Sequence, residues 1–256
     1  MKGPLMPAAH LIVLRHLWVL RKGRPWNLAV NGVFEPFLYL MSIGVGIGQL
    51  IDGDGGAIAY AAYVAPALLA TSAMNSAISE TTGSVWWRLR FEKFYDAIVT
   101  TPLTVRDIAH GEIAASVLRS TLSAACFLLV ITGFGMVHSW WALLALPACV
   151  LVAYAFSAAG MAAITVIREF HHQQYLQLVM LPMFLFATTF YPLSVYPQVL
   201  QPVVAALPLY QSIELLRGLT TGDLHPGMLV AVGYLLAMAA LGSWLATRRL
   251  SRMLLP

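Results

Sequence analysis

Six apolar stretches of this chain are each long enough to cross a lipid bilayer as an α-helix, which takes about 20 residues. They cover residues 28–48, 58–78, 108–134, 140–167, 175–193 and 228–247. Of the 256 residues, 59% are hydrophobic and only 10% are charged. So few charges cannot cover a surface that faces water. The sequence therefore predicts an all-α polytopic membrane protein with one membrane domain over residues 1–256 and six transmembrane helices within residues 28–247.

A further apolar stretch, residues 192–219, is interrupted by prolines. Pro197, Pro202 and Pro208 each lack a backbone donor and break a long helix, and Glu214 and Arg217 add charge. We expect two short helices here, at 198–207 and 209–219, each about 15 Å long, which is half a bilayer. The stretch is predicted to be a re-entrant outer hairpin between the fifth and sixth spans, not a seventh span.

Positive charge predicts the orientation of the chain. With six spans, all the lysines and arginines except Arg119 and Arg217 lie on the side of the two termini. The loop at 49–57, on the other side, contains two aspartates and no basic residue. Because basic residues accumulate on the cytoplasmic side of a membrane, we expect both termini to be cytoplasmic.

The N-terminal segment 8–24 mixes leucines and Trp18 with histidines and basic residues. It is too short and too charged to cross the membrane. This pattern predicts an amphipathic helix in the cytoplasmic interface, which Pro25 ends. The alternative is an ordinary basic flank that only sets the orientation.

The largest cytoplasmic connection, residues 83–107, contains a charged, aromatic segment with helical spacing at 87–98. Aromatic residues and arginine dominate the energetics of protein interfaces, so this segment is predicted to bind a partner. The alternative is that its aromatic residues anchor the loop among lipid headgroups. The candidate contact residues are Trp87, Phe91, Glu92, Lys93, Phe94, Tyr95 and Asp96.

Three ionisable residues, Glu35, Glu112 and Arg119, fall inside the predicted spans. A lone charge at this depth is unfavourable by about 2.5–3.5 kcal/mol or more. We hypothesise that Glu35 and Arg119 pair, within one subunit or across the dimer. The alternative is that each is satisfied locally, Glu35 by protonation and Arg119 by carbonyls, by Glu112 or by water. All three are candidate residues of a transport path. Their scarcity argues against a proton-coupled carrier.

Motifs for catalysis and for nucleotide or metal binding are not found in the sequence. There is no GxxxxGK[ST] phosphate loop, no HExxH zinc pair and no GxSxG nucleophile elbow. Basic residues lie between apolar runs and not in one patch, which argues against nucleic acid as a partner. We therefore predict a non-catalytic membrane subunit with no catalytic residue, no metal and no cofactor of its own.

Four ordered sequence blocks resemble those of ABC-2 type transporter permeases, in particular the nodulation-protein J and daunorubicin-resistance permease group. The resemblance extends over nearly the whole chain. The blocks are FEPFLYLMSIGVGIG, YAAYVAPALLATSAMNSAISET, FEKFYDAIVTTPLTVRDIAHGEI and MFLFATTFYPLSVYPQVLQPVVAALPLYQSIELLRGL.

The resemblance implies a half-transporter in the bacterial plasma (inner) membrane that exports an amphiphilic substrate such as a drug, a lipid or a lipid-linked glycan. It implies that segment 87–98 is the coupling helix, which docks on a separate ATPase, and that 192–219 is the outer hairpin. The implied partners are two copies of the ATPase, which bind ATP and Mg, and a second permease that is identical or similar. Membrane lipid surrounds the complex. A secondary transporter or channel without an ATPase, and an intramembrane enzyme, remain the alternatives.

Overall fold

The structure is a computed structural model that describes Leu14, Arg15, Trp18 and residues 34–42, 56–90, 104–137, 139–167 and 173–254. The described part of the chain is helical and contains no β-strand. In chain order the α-helices are α1 (Glu35–Ser42), α2 (Gly56–Ser79), α3 (Val85–Arg90), α4 (Val105–Gly133), α5 (Ala145–Ile164), α6 (Gln173–Phe186), α7 (Gln201–Ala205), α8 (Pro208–Thr221) and α9 (Gly227–Leu254).

Four helical stretches are long and apolar enough to cross a membrane: Tyr60–Leu89, Val105–Gly133, Trp140–Ile164 and Gly227–Met253. They coincide with the second, third, fourth and sixth predicted spans, and they make the chain a multi-pass membrane protein. Of the predicted first span, 28–48, only the part at 34–42 lies within the described residues, and α1 occupies it.

The second predicted span, 58–78, is longer in the structure than the sequence indicated. After α2 the helix continues through a π-helical segment, Glu80–Ser84, directly into α3, which ends at Arg90. The predicted end was too early because hydropathy identifies apolar segments, whereas residues 79–84 are polar or glycine and still helical. Side chains bind the carbonyls around the π-helical segment: Thr82 Oγ1 donates to Ile78 O at 2.7 Å and Arg88 Nε donates to Ser84 O at 3.0 Å.

The fifth predicted span, 175–193, is shorter in the structure. Helix α6 has 14 residues and ends at Phe186. Two residues later Thr188 has a φ of 59°, a left-handed conformation that a right-handed helix cannot continue through. The complete set of six spans therefore remains a prediction.

The predicted outer hairpin consists of two short helices, α7 and α8, preceded by a 3₁₀ turn at Leu193–Val195. Pro202 and Pro208 lie in the first turns of these helices, where a missing backbone donor does no harm. Pro197 precedes α7, and its carbonyl accepts from Leu200 N at 2.8 Å. The two-helix division is confirmed, while the depth of the hairpin in the membrane stays a prediction.

Small residues bring the spans into close contact. Helix α5 buries alanines along its length and packs against α2, α4 and α9. At Gly160 of α5 a Cβ atom would collide with Thr81 Oγ1, and at Gly242 of α9 it would meet the backbone of Ala158 at 2.8 Å. Such contacts allow helices to associate in lipid, where no hydrophobic effect drives them together. The packed spans define a cavity and hold together a set of charged side chains near residues 80–88 and 112–119.

Candidate functional site

A cavity of about 1020 Å³ lies beside α2 and α6. Phe127 of α4 and Tyr39 of α1 complete its wall. Tyr39, Leu178 and Leu181 on its rim are largely exposed, so the cavity reaches the outer surface of the chain. A cavity of this volume has room for a drug-sized group or a lipid headgroup.

The described lining of this cavity is polar on two helices but carries no formal charge. On α2, Thr71, Asn75 and Ser79 recur at four-residue spacing and therefore share one helix face. Thr71 and Thr82 already donate to carbonyls of their own helix, which leaves their oxygens able to accept. The uncharged hydrogen-bonding residues of the lining are Thr71, Ser72, Asn75, Ser79, Thr82, Gln174 and Gln177.

Next to the end of this cavity formed by Ser79 and Thr82, charged residues connect the second and third spans. Arg119 Nη1 of α4 lies 2.7 Å from Glu80 Oε2, in the π-helical segment. Seven residues earlier in α4, Glu112 Oε1 lies 3.0 Å from Arg88 Nη1 of α3. Each of the two antiparallel elements therefore supplies one acid and one base. We call the two ion pairs Glu80–Arg119 and Arg88–Glu112 the charge ladder.

The Glu112 side chain is the most deeply buried member of the charge ladder. Its side chain is 1% exposed, and a buried carboxylate is strongly unfavourable without partners. Arg15, from the N-terminal segment, supplies a second guanidinium with Nη2 3.1 Å from the same Oε1 atom. Three separate parts of the chain thus meet at one carboxylate.

The hypothesis that Glu35 pairs with Arg119 is not tested by these contacts, because the side chain of Glu35 lies outside the described residues. Arg119 itself is paired with Glu80, a residue that the sequence places at a cytoplasmic helix end. Glu112 binds Arg15 and Arg88, and no contact between Glu112 and Arg119 is seen.

Of the seven candidate contact residues of the predicted coupling helix, Trp87 is the one that lies within the described residues. It lies on α3, with 49% of its surface exposed. Phe91, Glu92, Lys93, Phe94, Tyr95 and Asp96 lie outside the described residues. Their loop leaves α3 after Arg90 and returns at Thr104, whose side chain and that of Asp107 form a capping box at the start of α4.

The sequence profile of the ABC-2 type transporter family matches residues 10–220, which contain the cavity, the charge ladder and the predicted hairpin at 192–219. The chain belongs to the ABC-2 type transporter family. Nodulation protein J of Rhizobium leguminosarum bv. viciae is 30% identical over 250 residues, 94% of this chain and 95% of the relative. Nodulation protein J of Rhizobium meliloti (strain 1021) is 30% identical over 237 residues, 89% of this chain and 87% of the relative.

A third relative, nodulation protein J of Rhizobium leguminosarum bv. trifolii, is 32% identical over 225 residues, 86% of this chain and 84% of the relative. These comparisons bear out the resemblance that the four sequence blocks indicated. The protein is accordingly the membrane subunit of an ABC transporter, and this favours a permease over a carrier of another class or an intramembrane enzyme.

At the other end of the permease, the hairpin packs on the start of the second span. Arg217 Cζ of α8 lies 4.0 Å from the centre of the Tyr63 ring, and Arg217 Nη2 donates to Thr188 O at 3.0 Å. Glu214 Oε1 lies 3.1 Å from His225 Nε2. Both charged hairpin residues predicted from the sequence therefore hold the hairpin to its neighbours.

Sequence reasoning missed the polar lining of the cavity and three members of the charged cluster, Glu80, Arg15 and Arg88. A signal for the lining was present, because Asn75 and the hydroxyl residues around it interrupt an otherwise apolar stretch. A signal for the charge ladder was present too. The acid–base spacing of Glu80 and Arg88 nearly matches that of Glu112 and Arg119, with the acid first in both, so antiparallel helices bring each acid beside the base of the other segment.

Proposed function

We propose that this permease is the membrane-spanning half of an exporter, driven by a separate ATPase that binds the cytoplasmic loop around 87–98. ATP and Mg bind to two copies of that ATPase, and a second permease, identical or similar, completes the path. The chain spans a bacterial plasma membrane six times with both termini in the cytoplasm. The hairpin at 192–219 lies on the outer side. The family membership is what carries this proposal.

The substrate proposed here is amphiphilic, with an uncharged polar headgroup. The single observation that supports this class is the cavity, whose described lining offers hydroxyl and amide groups but no charge. Asn75 and Gln177 each provide a donor and an acceptor, which suits a headgroup rich in hydroxyl or amide groups. The exposed rim of Leu178 and Leu181 suits an apolar tail that stays in lipid.

The test is ATP-driven movement of lipids in vesicles that contain the permease together with the ATPase encoded beside it. A fluorescent glycolipid with an uncharged sugar headgroup and a fluorescent phosphatidylglycerol are compared. We expect outward movement of the glycolipid in preference to the anionic lipid. Co-purification of the ATPase with the permease is measured on the same preparation.

Asn75→Leu should lower glycolipid movement about tenfold, because a hydrogen bond lost at this half-buried side chain is worth roughly 1–3 kcal/mol, and Gln177→Leu should lower it by less, since Gln177 is exposed on the rim. Leu129→Ala is the matched control, since Leu129 is 72% exposed and faces away from the cavity. Equal movement of both lipids, unaffected by the cavity variants, would reject the proposed substrate class. Failure of any ATPase to bind would reject the exporter itself.

A further inference from the structure

The carboxylate of Glu112 joins three parts of the permease that are far apart in sequence. Arg88 belongs to α3, the helix from which the cytoplasmic loop departs two residues later. Arg15 belongs to the N-terminal segment, 97 residues from Glu112. Both guanidinium groups reach the same oxygen, Oε1, at 3.0 Å and 3.1 Å.

Hydrogen bonds to Ser84 and Glu112 fix the direction of the Arg88 side chain. Its Nε donates to Ser84 O, at the end of the π-helical segment, and its Nη1 donates to Glu112. A π-helical turn leaves the regular pattern of backbone hydrogen bonds, and such turns are frequent at functional sites. Arg88 thus connects the irregular turn to α4 through one planar group, which a lysine ammonium cannot reproduce.

The second ion pair of the charge ladder is different in character. Glu80 and Arg119 keep 26% and 18% of their side chains exposed, against 1% for Glu112. Glu80–Arg119 holds the π-helical segment to α4 and makes no ion pair with Arg15, the described basic residue of the N-terminal segment. It is therefore a natural comparison for the contacts made by Glu112.

We propose that Glu112 is a positioning residue that passes movement of the cytoplasmic loop to the N-terminal interface segment. The Arg88–Glu112 contact makes α3 and the start of α4 move as one unit, and the Glu112–Arg15 contact carries that movement to residues around Arg15. The inference rests on the proposed function, because an ATPase at the loop is what would move it. Glu112 touches Arg88 on one side of this connection and Arg15 on the other.

Hydrogen exchange of the permease–ATPase complex in lipid nanodiscs tests the proposal, with and without trapping by ATP and vanadate. In the unaltered complex we expect trapping to change exchange in two peptides, one covering 80–90 and one covering 10–20. In Glu112→Gln the change at 80–90 should remain and the change at 10–20 should be lost. In Arg88→Lys the change at 10–20 should also be lost, although the charge is kept.

Two further variants separate positioning from simple stabilisation. Arg15→Gln alters a side chain that is 33% exposed, so it tests the same connection without emptying the core. Its expected result is loss of the change at 10–20. Arg119→Gln is the matched control and should keep that change, because it leaves the Glu112 contacts in place. A purely structural role for Glu112 would alter exchange equally with and without trapping, and that result would overturn the proposal.

Two results would overturn the proposal. One is a trapping-dependent change at 10–20 that survives in both Glu112→Gln and Arg15→Gln. The other is an unaltered complex in which trapping changes exchange at 80–90 but not at 10–20. If no part of the unaltered permease responds to trapping, the proposed function fails and the inference fails with it. This outcome is distinguishable from failure of the inference alone, because it is seen in the unaltered complex and needs no variant.

Discussion

Arg119 of α4 donates to Glu80 across 2.7 Å, and this contact ties the middle of the third span to the π-helical segment of the second. Both residues are mostly shielded, with 18% and 26% of their side chains exposed. A charge held at such a position needs an opposite charge close by. The Glu80–Arg119 pair is therefore a stabilising contact between two neighbouring spans.

A double-mutant cycle measures this contact. Glu80→Gln and Arg119→Gln should each destabilise the permease, and the double variant should lose less than the sum, with a coupling of about 1 kcal/mol. The measurement is unfolding in mixed detergent. The same cycle with Glu35→Gln in place of Glu80→Gln tests the hypothesis that Glu35 pairs with Arg119. A larger coupling with Glu35 than with Glu80 would contradict the pairing seen here.

Gly160 lies where the fourth span packs tightly against the second, beside Thr81. Gly160→Ala should destabilise the permease by about 1–3 kcal/mol, because the added methyl group collides with Thr81 Oγ1 and the packed helices must move apart. Thr81→Ala removes that oxygen, so the double variant should recover part of the loss. Thermal unfolding in detergent is the measurement.

Gly233→Ala is the control for this substitution, since no atom lies within 4 Å of a Cβ added there. Gly233 also lies inside a long helix, α9, where alanine is the better helix former. We expect Gly233→Ala to be neutral or slightly stabilising. Equal destabilisation by both alanine substitutions would show that close packing at Gly160 does not cause the loss of stability.

The topology prediction is tested by labelling single cysteines in a Cys126→Ser, Cys149→Ser background. A cysteine at position 223, in the exposed connection between α8 and α9, should react with an impermeant maleimide in intact cells. A cysteine at position 252, in the last turn of α9, should react only after the cells are opened, because basic residues stay on the cytoplasmic side. Labelling at 252 in intact cells would refute six spans with both ends inside.

The coupling prediction concerns the loop after α3. Phe94→Ala and Tyr95→Ala should weaken ATPase binding, or lower transport per ATP hydrolysed, by about tenfold, since truncating an interface aromatic commonly removes 1–2 kcal/mol or more. Trp140→Ala is the control, because Trp140 is 90% exposed at the opposite end of the fourth span. Unchanged binding and transport in both loop variants would exclude this segment as the coupling helix.

Much of the fold was predictable because a helix that crosses lipid needs about 20 mostly apolar residues. The third span illustrates this: residues 108–134 were predicted, and α4 runs over Val105–Gly133. The division of the hairpin was predictable as well, since Pro202 and Pro208 can each stand only at a helix start or a break. In both cases one residue property, apolarity or the missing proline donor, determines the local structure.

Other features depended on contacts that one sequence does not reveal. The continuation of the second span past Ile78 depends on Thr81, Thr82 and Arg88 binding carbonyls of their own helix. The partner of Arg119 depends on which spans are neighbours and on their register. The early end of α6 follows from the backbone conformation of Thr188, a residue whose type gives no warning of it.

The length of the second span has a mechanical consequence. The 30 residues of Tyr60–Leu89 form a rod about 45 Å long, whereas the hydrocarbon core is about 30 Å thick. Near its Tyr60 end the rod is held by Arg217 over Tyr63 and by the Tyr60 hydroxyl, which donates to Phe190 O at 3.3 Å. Near its Leu89 end the charge ladder holds it to α4. A rod held at both ends cannot tilt alone, so a force on the Leu89 end has to move α4 and the hairpin together with it.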